Sequence, residues 1–300
     1  MHKKDCDDMK RVKFIYNPVS GNGILKTKID NIIEVFQRRG YQIIPHKLLG
    51  KSDVKKAFEH FEPDEYYAVV AAGGDGTVHE VLNLLKKVDS NVPFGIIPSG
   101  TSNDFANYLG LPKDINECID VITIKNKPEF VDIGQVNSRY FINVVAGGIL
   151  SSIAHKAKKE LKNYLGMFAY YIKALEEIPN IKPFHIEIDS DTQNISEDAL
   201  MFLILNTSIA GGFKVAPNAV IDDGLLDVFV IKNCSIPDFA GLFLKLLRGE
   251  HVQDEKVIYF QASELKVNCD PGVEVDIDGE KGHEFPLEIK VLPNCMRVFK

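Results

Sequence analysis

The chain has 300 residues, enough for two domains rather than one core. A formal net charge of −7 argues against non-specific nucleic-acid binding, and a composition 45% hydrophobic and 26% charged is that of an ordinary globular protein. Cys6, Cys118, Cys234, Cys269 and Cys295 are odd in number and lack Cys-x-x-Cys spacing, so they read as reduced thiols in a cytoplasmic protein, not as a disulfide frame or a zinc site.

The first residues, Met1 to Asp8, are charged and carry no apolar h-region, so no signal peptide is read there. The longest apolar runs, such as Ala199 to Leu205, have the length of a strand and are too short to cross a bilayer. Any membrane association is therefore expected to be peripheral, without a transmembrane segment.

Val12 to Tyr16 is a first strand, followed by the loop Asn17-Pro18-Val19-Ser20-Gly21-Asn22-Gly23. Ile29, Ile32, Ile33 and Phe36 recur at helical spacing, and Gly40 is the stop signal. Tyr41 to Ile44 reads as the next strand and Val54 to Phe61 as the next helix. The apolar run Tyr67 to Ala72 then enters Gly73-Gly74-Asp75-Gly76-Thr77, and Val78, Val81, Leu82 and Leu85 continue at helical spacing. That is a buried strand, a tight turn and a helix, with glycines that let the backbone turn sharply and approach a ligand. The helix start is a ready anion site.

A dinucleotide fingerprint would need a glycine where His79 stands, and a P-loop would need Gly-Lys-Ser/Thr, which the chain lacks. His79 reads as a loop-facing helix residue without assigned chemistry. Asp75 is the informative residue, because an acid beside phosphate is repulsive unless a metal or a proton transfer gives it a purpose. Its plain alternative is a helix cap. A third loop, Pro98-Ser99-Gly100-Thr101-Ser102-Asn103-Asp104, follows the strand Val92 to Ile97, and Ser102 or Asn103 has the same capping alternative. Strand and helix alternate as far as Pro112, which predicts a parallel sheet with its loops at a phosphate-binding rim.

From Phe130 the pattern changes to short strands and turns: Val131 to Gly134, Tyr140 to Val144, Phe184 to Ile188, Leu200 to Leu205, Leu226 to Ile231, Leu265 to Val267 and Val273 to Asp278. A polar turn is expected over Asp189 to Asp198. The series predicts an antiparallel sandwich or barrel-like second domain. Two helical interruptions, about Ile153 to Ile178 and from Ser235 to Arg248, carry aromatic and basic residues that suit either packing on their own domain or a membrane surface.

Taken in order, Asn17 to Gly21, Gly73-Gly74-Asp75-Gly76-Thr77, Pro98 to Ala106, Ala216-Pro217-Asn218-Ala219, Asp222-Asp223-Gly224-Leu225-Leu226-Asp227-Val228 and Asp278-Gly279-Glu280 resemble the diacylglycerol kinase catalytic-domain family of soluble bacterial lipid kinases, from about Arg11 to Phe299. The resemblance implies an α/β nucleotide-binding domain at residues 1–129, similar to NAD kinases and phosphofructokinases, to which a tail of about 290–300 returns, and a β-sandwich lipid-substrate domain at residues 130–289. It implies ATP-dependent phosphorylation of a lipid hydroxyl with Mg²⁺, diacylglycerol to phosphatidic acid being the first expectation. Sphingoid-base phosphorylation, an NAD kinase-like activity and a non-catalytic lipid- or nucleotide-binding protein are the alternatives.

By motif match, Asn17, Pro18, Val19, Ser20, Gly21, Gly74, Asp75, Gly76, Thr77 and Thr101 would line the nucleotide. Asp223, with main-chain oxygens of Val220 and Leu225, resembles the family's structural magnesium site. Glu280 is the first candidate for the catalytic base and Asp278 the second, with Asp75 serving Mg-ATP or competing for the role. Leu48 stands where many members place a threonine near the nucleotide. The expected partner is a lipid at a membrane surface and not a nucleic acid, and the resemblance makes a homodimer plausible.

Overall fold

The computed structural model describes residues 9–50, 53–148 and 182–300. The chain forms two compact units, one of residues 1–131 and 294–300 and the other of residues 132–293. The expected helical stretch 153–178 lies outside the described residues.

The first unit is built on β1 (Lys10–Tyr16), β2 (Tyr41–Lys47), β3 (Ala68–Gly73) and β4 (Phe94–Pro98), all parallel in the order β4-β3-β1-β2. Strand β3 is buried at every residue, which is why its sequence is a continuous apolar run and not an alternation. Helix α1 (Ile24–Arg38) buries Leu25, Ile32 and Phe36 and gives way to Gly40 at φ 82°, a left-handed position that suits glycine. Helix α2 (Asp53–Ala57) is shorter than its apolar pattern suggests; after it the chain makes a tight turn through His60 at φ 58°. Helix α3 (Asp75–Lys87) follows β3, and α4 (Asp104–Tyr108) and α5 (Ile115–Asp120) follow β4. His79, within α3, is buried at 2% exposure.

The second unit is antiparallel throughout its paired strands. Its path runs from β5 (Pro128–Val136) through β6 (Arg139–Phe141), β7 (Val144–Gly148), β8 (Phe184–Ser190) and β9 (Asn194–Leu205), with β10 (Ile209–Ala210) and β11 (Phe213–Lys214) forming a small hairpin. After β12 (Leu226–Lys232) come α6 (Ile236–Arg248), β13 (Val257–Ala262), β14 (Glu264–Cys269), β15 (Val275–Ile277), β16 (Glu280–Lys281) and β17 (Leu287–Phe299). The last residues of β17 belong to the first unit, where Val298 pairs with Phe94.

Strand β9 pairs with β7, β8 and β12, the register with β12 shifting between Ile231 and Lys232. Ala199, Phe202 and Ile204 enter one core cluster, while Met201, Leu203 and Leu205 enter another. Burial on both faces explains seven consecutive apolar residues. Two local expectations are corrected. Asn194 to Asp198 is the exposed start of β9 instead of a turn, and its alternating burial shows the period of a half-covered strand. Tyr140 to Val144 is not one strand but two ends separated at Ile142 and Asn143, whose backbone amides bind a carboxylate described below.

Ile204 is fully buried on the central strand, so Ile204→Ala is expected to lower unfolding free energy by about 2–5 kcal/mol through lost transfer energy and a residual cavity. Equilibrium urea unfolding measures it, and a loss under about 1 kcal/mol would contradict this placement.

Candidate active site

Three loops leave the carboxyl ends of the adjacent strands β1, β3 and β4, and backbone hydrogen bonds tie them together. The Asn17 amide donates to the Ala72 carbonyl at 2.9 Å, and the Ser99 amide donates to the Gly73 carbonyl at 2.8 Å. The Asp75 carboxylate accepts from the Asn103 amide at 2.8 Å, joining the second loop to the third. Asp75 is thus the first residue of α3 and not its cap; Gly74 occupies the cap position and offers no side chain. Asn103 does occupy the cap position of α4, at φ 51°, yet its side chain does not cap. Its Oδ1 accepts from the Gly100 amide at 2.8 Å and its Nδ2 donates to the Gly100 carbonyl at 3.0 Å, which closes the third loop on itself.

The glycines divide by what surrounds them. A Cβ on Gly100 would lie 2.5 Å from the Gly74 Cα, and one on Gly73 would lie 2.5 Å from the Thr77 Cβ. One on Gly21, at φ 54°, would run into the Ser99 carbonyl oxygen. These three are required because protein meets protein; for Gly73 the sequence suggested instead a close approach to a ligand. Gly76 is different. It is exposed in the first turn of α3, and a Cβ there would meet nothing within 4 Å. The fold does not ask for glycine at this helix start, where uncapped amides favour an anion.

Around this rim Pro18 and Thr77 are buried, Val19 and Thr101 are exposed, and Asn17 Nδ2 reaches Thr77 Oγ1 at 3.5 Å. The Ser99 hydroxyl oxygen is buried without a hydrogen-bond partner. Leu48 is 7% exposed, its side chain in the core and its amide donating to the Tyr16 carbonyl at 2.9 Å.

In the second unit Ile277 pairs with Glu280 across the two-residue turn Asp278-Gly279, with φ 48° and 81°. Positive φ at both positions is the requirement of a type I′ hairpin, which explains Asp-Gly. The Asp278 carboxylate accepts from the amides of Ile142 at 2.6 Å and of Asn143 and Val144 at 2.9 Å each. It is an anchor for the turn, and Glu280 opens the short strand beyond it, half-buried.

Asp223, Val220 and Leu225 share the loop before β12. Asp223 Oδ1 accepts from the Leu225 amide at 2.9 Å, and Asp132 Oδ2 accepts from the Gly224 amide at 2.7 Å. Burial pushes the Asp223 carboxyl above its usual range, and the charges of Asp132 and Asp222 add to the push against the Leu225 amide. Among the described residues no group of three or more His, Cys, Asp or Glu side chains forms a ready metal cluster. The donor set here is instead one carboxylate and backbone oxygens, crowded by like charge, a chemistry that suits a hard cation.

The diacylglycerol kinase catalytic domain family matches residues 11–136, and a C-terminal NAD kinase β-sandwich-like domain family matches residues 143–300. A Bacillus subtilis (strain 168) diacylglycerol kinase is 37% identical over 282 residues, covering 93% of each chain. The chain belongs to the diacylglycerol kinase family. A Staphylococcus epidermidis diacylglycerol kinase is 35% identical over 291 residues, covering 97% of this chain and 92% of its own. The crystal structure of a protein assigned as a diacylglycerol kinase from Bacillus anthracis str. Sterne matches at TM-score 0.82 and 27% identity, covering 97% of both chains. Among the described residues no helix is long and apolar enough to cross a membrane.

Several residues of this family member escaped the motif reading. Asp132 sits inside an apolar run, and Asn143, Asn206 and Thr207 are buried polar groups in a domain read for its strands. The signal available was Asn206-Thr207-Ser208, three polar residues directly after seven apolar ones. Asp227, 2% exposed, accepts from the Tyr259 hydroxyl at 2.6 Å. Burial pushes its carboxyl up, the Tyr259 and Gln261 hydrogen bonds oppose this, and the Asp223 charge adds to it.

Two measurements follow from this geometry. Gly100→Ala is expected to lower Tm, whereas Gly76→Ala leaves it unchanged or raises it by the few degrees that about 1 kcal/mol of helix propensity provides. Scanning calorimetry separates them, and equal losses would contradict the division. For Asp227, a raised folded-state value means the ionised form is disfavoured by folding; the penalty is absent below the unfolded-state value and complete above the folded one. Asp227→Asn is therefore expected to raise Tm in EDTA at about pH 8, with the gain shrinking toward about pH 4. A gain that grows on acidification would contradict the assignment.

Proposed function

We propose that this family member, a lipid kinase by descent, transfers the γ-phosphoryl group of ATP to the free hydroxyl of diacylglycerol, with Mg²⁺, to give phosphatidic acid and ADP. The observation that carries the reading is the convergence of three strand-end loops on the uncapped start of α3, with Gly76 left bare toward solvent. The similarity to diacylglycerol kinases supports the lipid side.

Phosphoryl transfer asks for in-line positioning and neutralised charge more than for covalent help. The amides at Gly74 to Thr77 and the loop Asn17 to Gly21 bind and orient the nucleotide phosphates, with Thr101 at the edge of the same rim. Asp75 keeps the third loop in register through the Asn103 amide, which makes it a positioning residue in this proposal. Asp223 with the carbonyl oxygens of Val220 and Leu225 would hold Mg²⁺, which supplies fixed positive charge where acidic residues crowd.

Glu280 takes the hydroxyl proton as the acceptor oxygen bonds to phosphorus and the bond to the ADP oxygen breaks. Asp278 is the weaker candidate for this step, because three backbone amides occupy its carboxylate. The lipid is met at a membrane surface, in a peripheral association, and the chain acts as a cytoplasmic enzyme. The first unit is the nucleotide-binding domain and the second the lipid domain.

Transfer of ³²P from γ-labelled ATP is measured with micellar diacylglycerol, monoacylglycerol, phosphatidylglycerol and sphingosine and with soluble NAD. Label is expected on diacylglycerol, reduced by about 10²–10⁴-fold in Glu280→Ala, the usual worth of a positioned base. Label on sphingosine or NAD alone would overturn the substrate, and an active Glu280→Ala would overturn the base.

A further inference from the structure

Asn206 follows the last residue of β9, is 2% exposed, and spends both hydrogens of its carboxamide on backbone carbonyls. Nδ2 donates to the Ile142 carbonyl and to the Asp132 carbonyl, each at 3.0 Å. Its own backbone amide donates to the Asn143 carbonyl at 2.9 Å. The two carbonyls of Ile142 and Asn143 belong to the same peptide units as the amides of Asn143 and Val144, and those amides both donate to Asp278 Oδ1. A trans peptide unit is planar, with its N–H and C=O on opposite sides. Two successive peptide planes are therefore gripped by Asn206 at their oxygens and by Asp278 at their nitrogens. Asn206 thereby sets where the Asp278 carboxylate sits, and that carboxylate sets the turn that presents Glu280.

The second hydrogen of the carboxamide reaches β5. It holds the carbonyl of Asp132, whose amide donates to the Ile221 carbonyl at 2.7 Å and whose carboxylate accepts from Gly224 at 2.7 Å. Thr207 braces the arrangement, its hydroxyl donating to Asn143 Oδ1 at 3.0 Å. Neither Asp nor Leu, the side chains nearest in size, could donate twice at this point. Asn206 Oδ1 is buried without a hydrogen-bond partner, a cost the fold would avoid with an apolar residue.

We infer that Asn206 is a positioning residue for phosphoryl transfer, fixing the Asp278-Gly279-Glu280 turn and the Val220 to Leu225 loop in one register. The inference rests on the reading of Glu280 as base and of the Asp223 loop as the Mg²⁺ holder. It separates Asn206 from an ordinary buried polar residue, because a structural role affects how much protein folds and not how fast the folded protein turns over.

The test compares Asn206→Ala, Asn206→Ser and Ile204→Ala in the full chain, below their unfolding transitions, with the ATP and diacylglycerol assay across a Mg²⁺ titration. Asn206→Ala is expected to lower kcat by about a hundredfold, the scale of a small displacement of reacting groups, and to raise the Mg²⁺ concentration for half-activation, with the KM for ATP held within about twofold. Asn206→Ser keeps one donor and is expected to fall between, and it decides the matter if the alanine variant does not fold. Ile204→Ala, two residues away in the apolar core, keeps kcat within about twofold despite its lost stability. Folded Asn206 variants with unchanged kcat and Mg²⁺ response, beside an inactive Glu280→Ala, would overturn the inference and leave the function standing. An active Glu280→Ala would overturn both.

Discussion

The close approach of backbone to backbone at Gly74 and Gly100 is the constraint on which the first unit's site depends. With the Gly100 Cβ position 2.5 Å from the Gly74 Cα, no side chain fits between the second and third loops. The contact makes sense only because β3 and β4 are parallel neighbours, so their loops leave the sheet side by side. Asp75 and Asn103 then fasten what the glycines allow. An acid at this rim thus has a local purpose, since it accepts an amide that would otherwise lie between two loops.

The second unit solves a different problem by similar means. Strand β9 is apolar on both faces until Leu205, and where it ends the backbone groups of three neighbouring segments need partners in a dry interior. Asn206, Asn143, Thr207, Asp132 and Asp278 supply them. A network of this kind is costly if any member is missing and rigid when nearly all are satisfied. Rigidity is what a hairpin carrying the proposed proton acceptor requires, and the type I′ turn at Asp278-Gly279 adds to it.

Much of this fold is legible in the sequence, and the reasons are particular. Strand β3 declares itself as six buried residues running into glycine, and α3 through Val78, Val81, Leu82 and Leu85. The antiparallel half shows through Leu226 to Ile231 and Leu200 to Leu205. Other features stayed hidden because they depend on partners far along the chain. Nothing near Ile142 announces that its amide meets Asp278, 136 residues away. Nor does the sequence tell Gly73, required by the Thr77 side chain, and Gly100, required by the Gly74 backbone, from Gly76, which is open to solvent. The burial of His79 was hidden too, because one helical turn does not reveal how α3 is covered.

The central claim is that the three loops of the first unit act as one anion cradle. Hydrogen–deuterium exchange of peptides covering residues 17–23, 73–80 and 98–107, with Mg²⁺ alone, with adenosine and with ATP, tests it most directly. Joint protection of all three by ATP, and by neither Mg²⁺ nor adenosine, is the result the account predicts. Protection of one loop alone, or equal protection by adenosine, would contradict it.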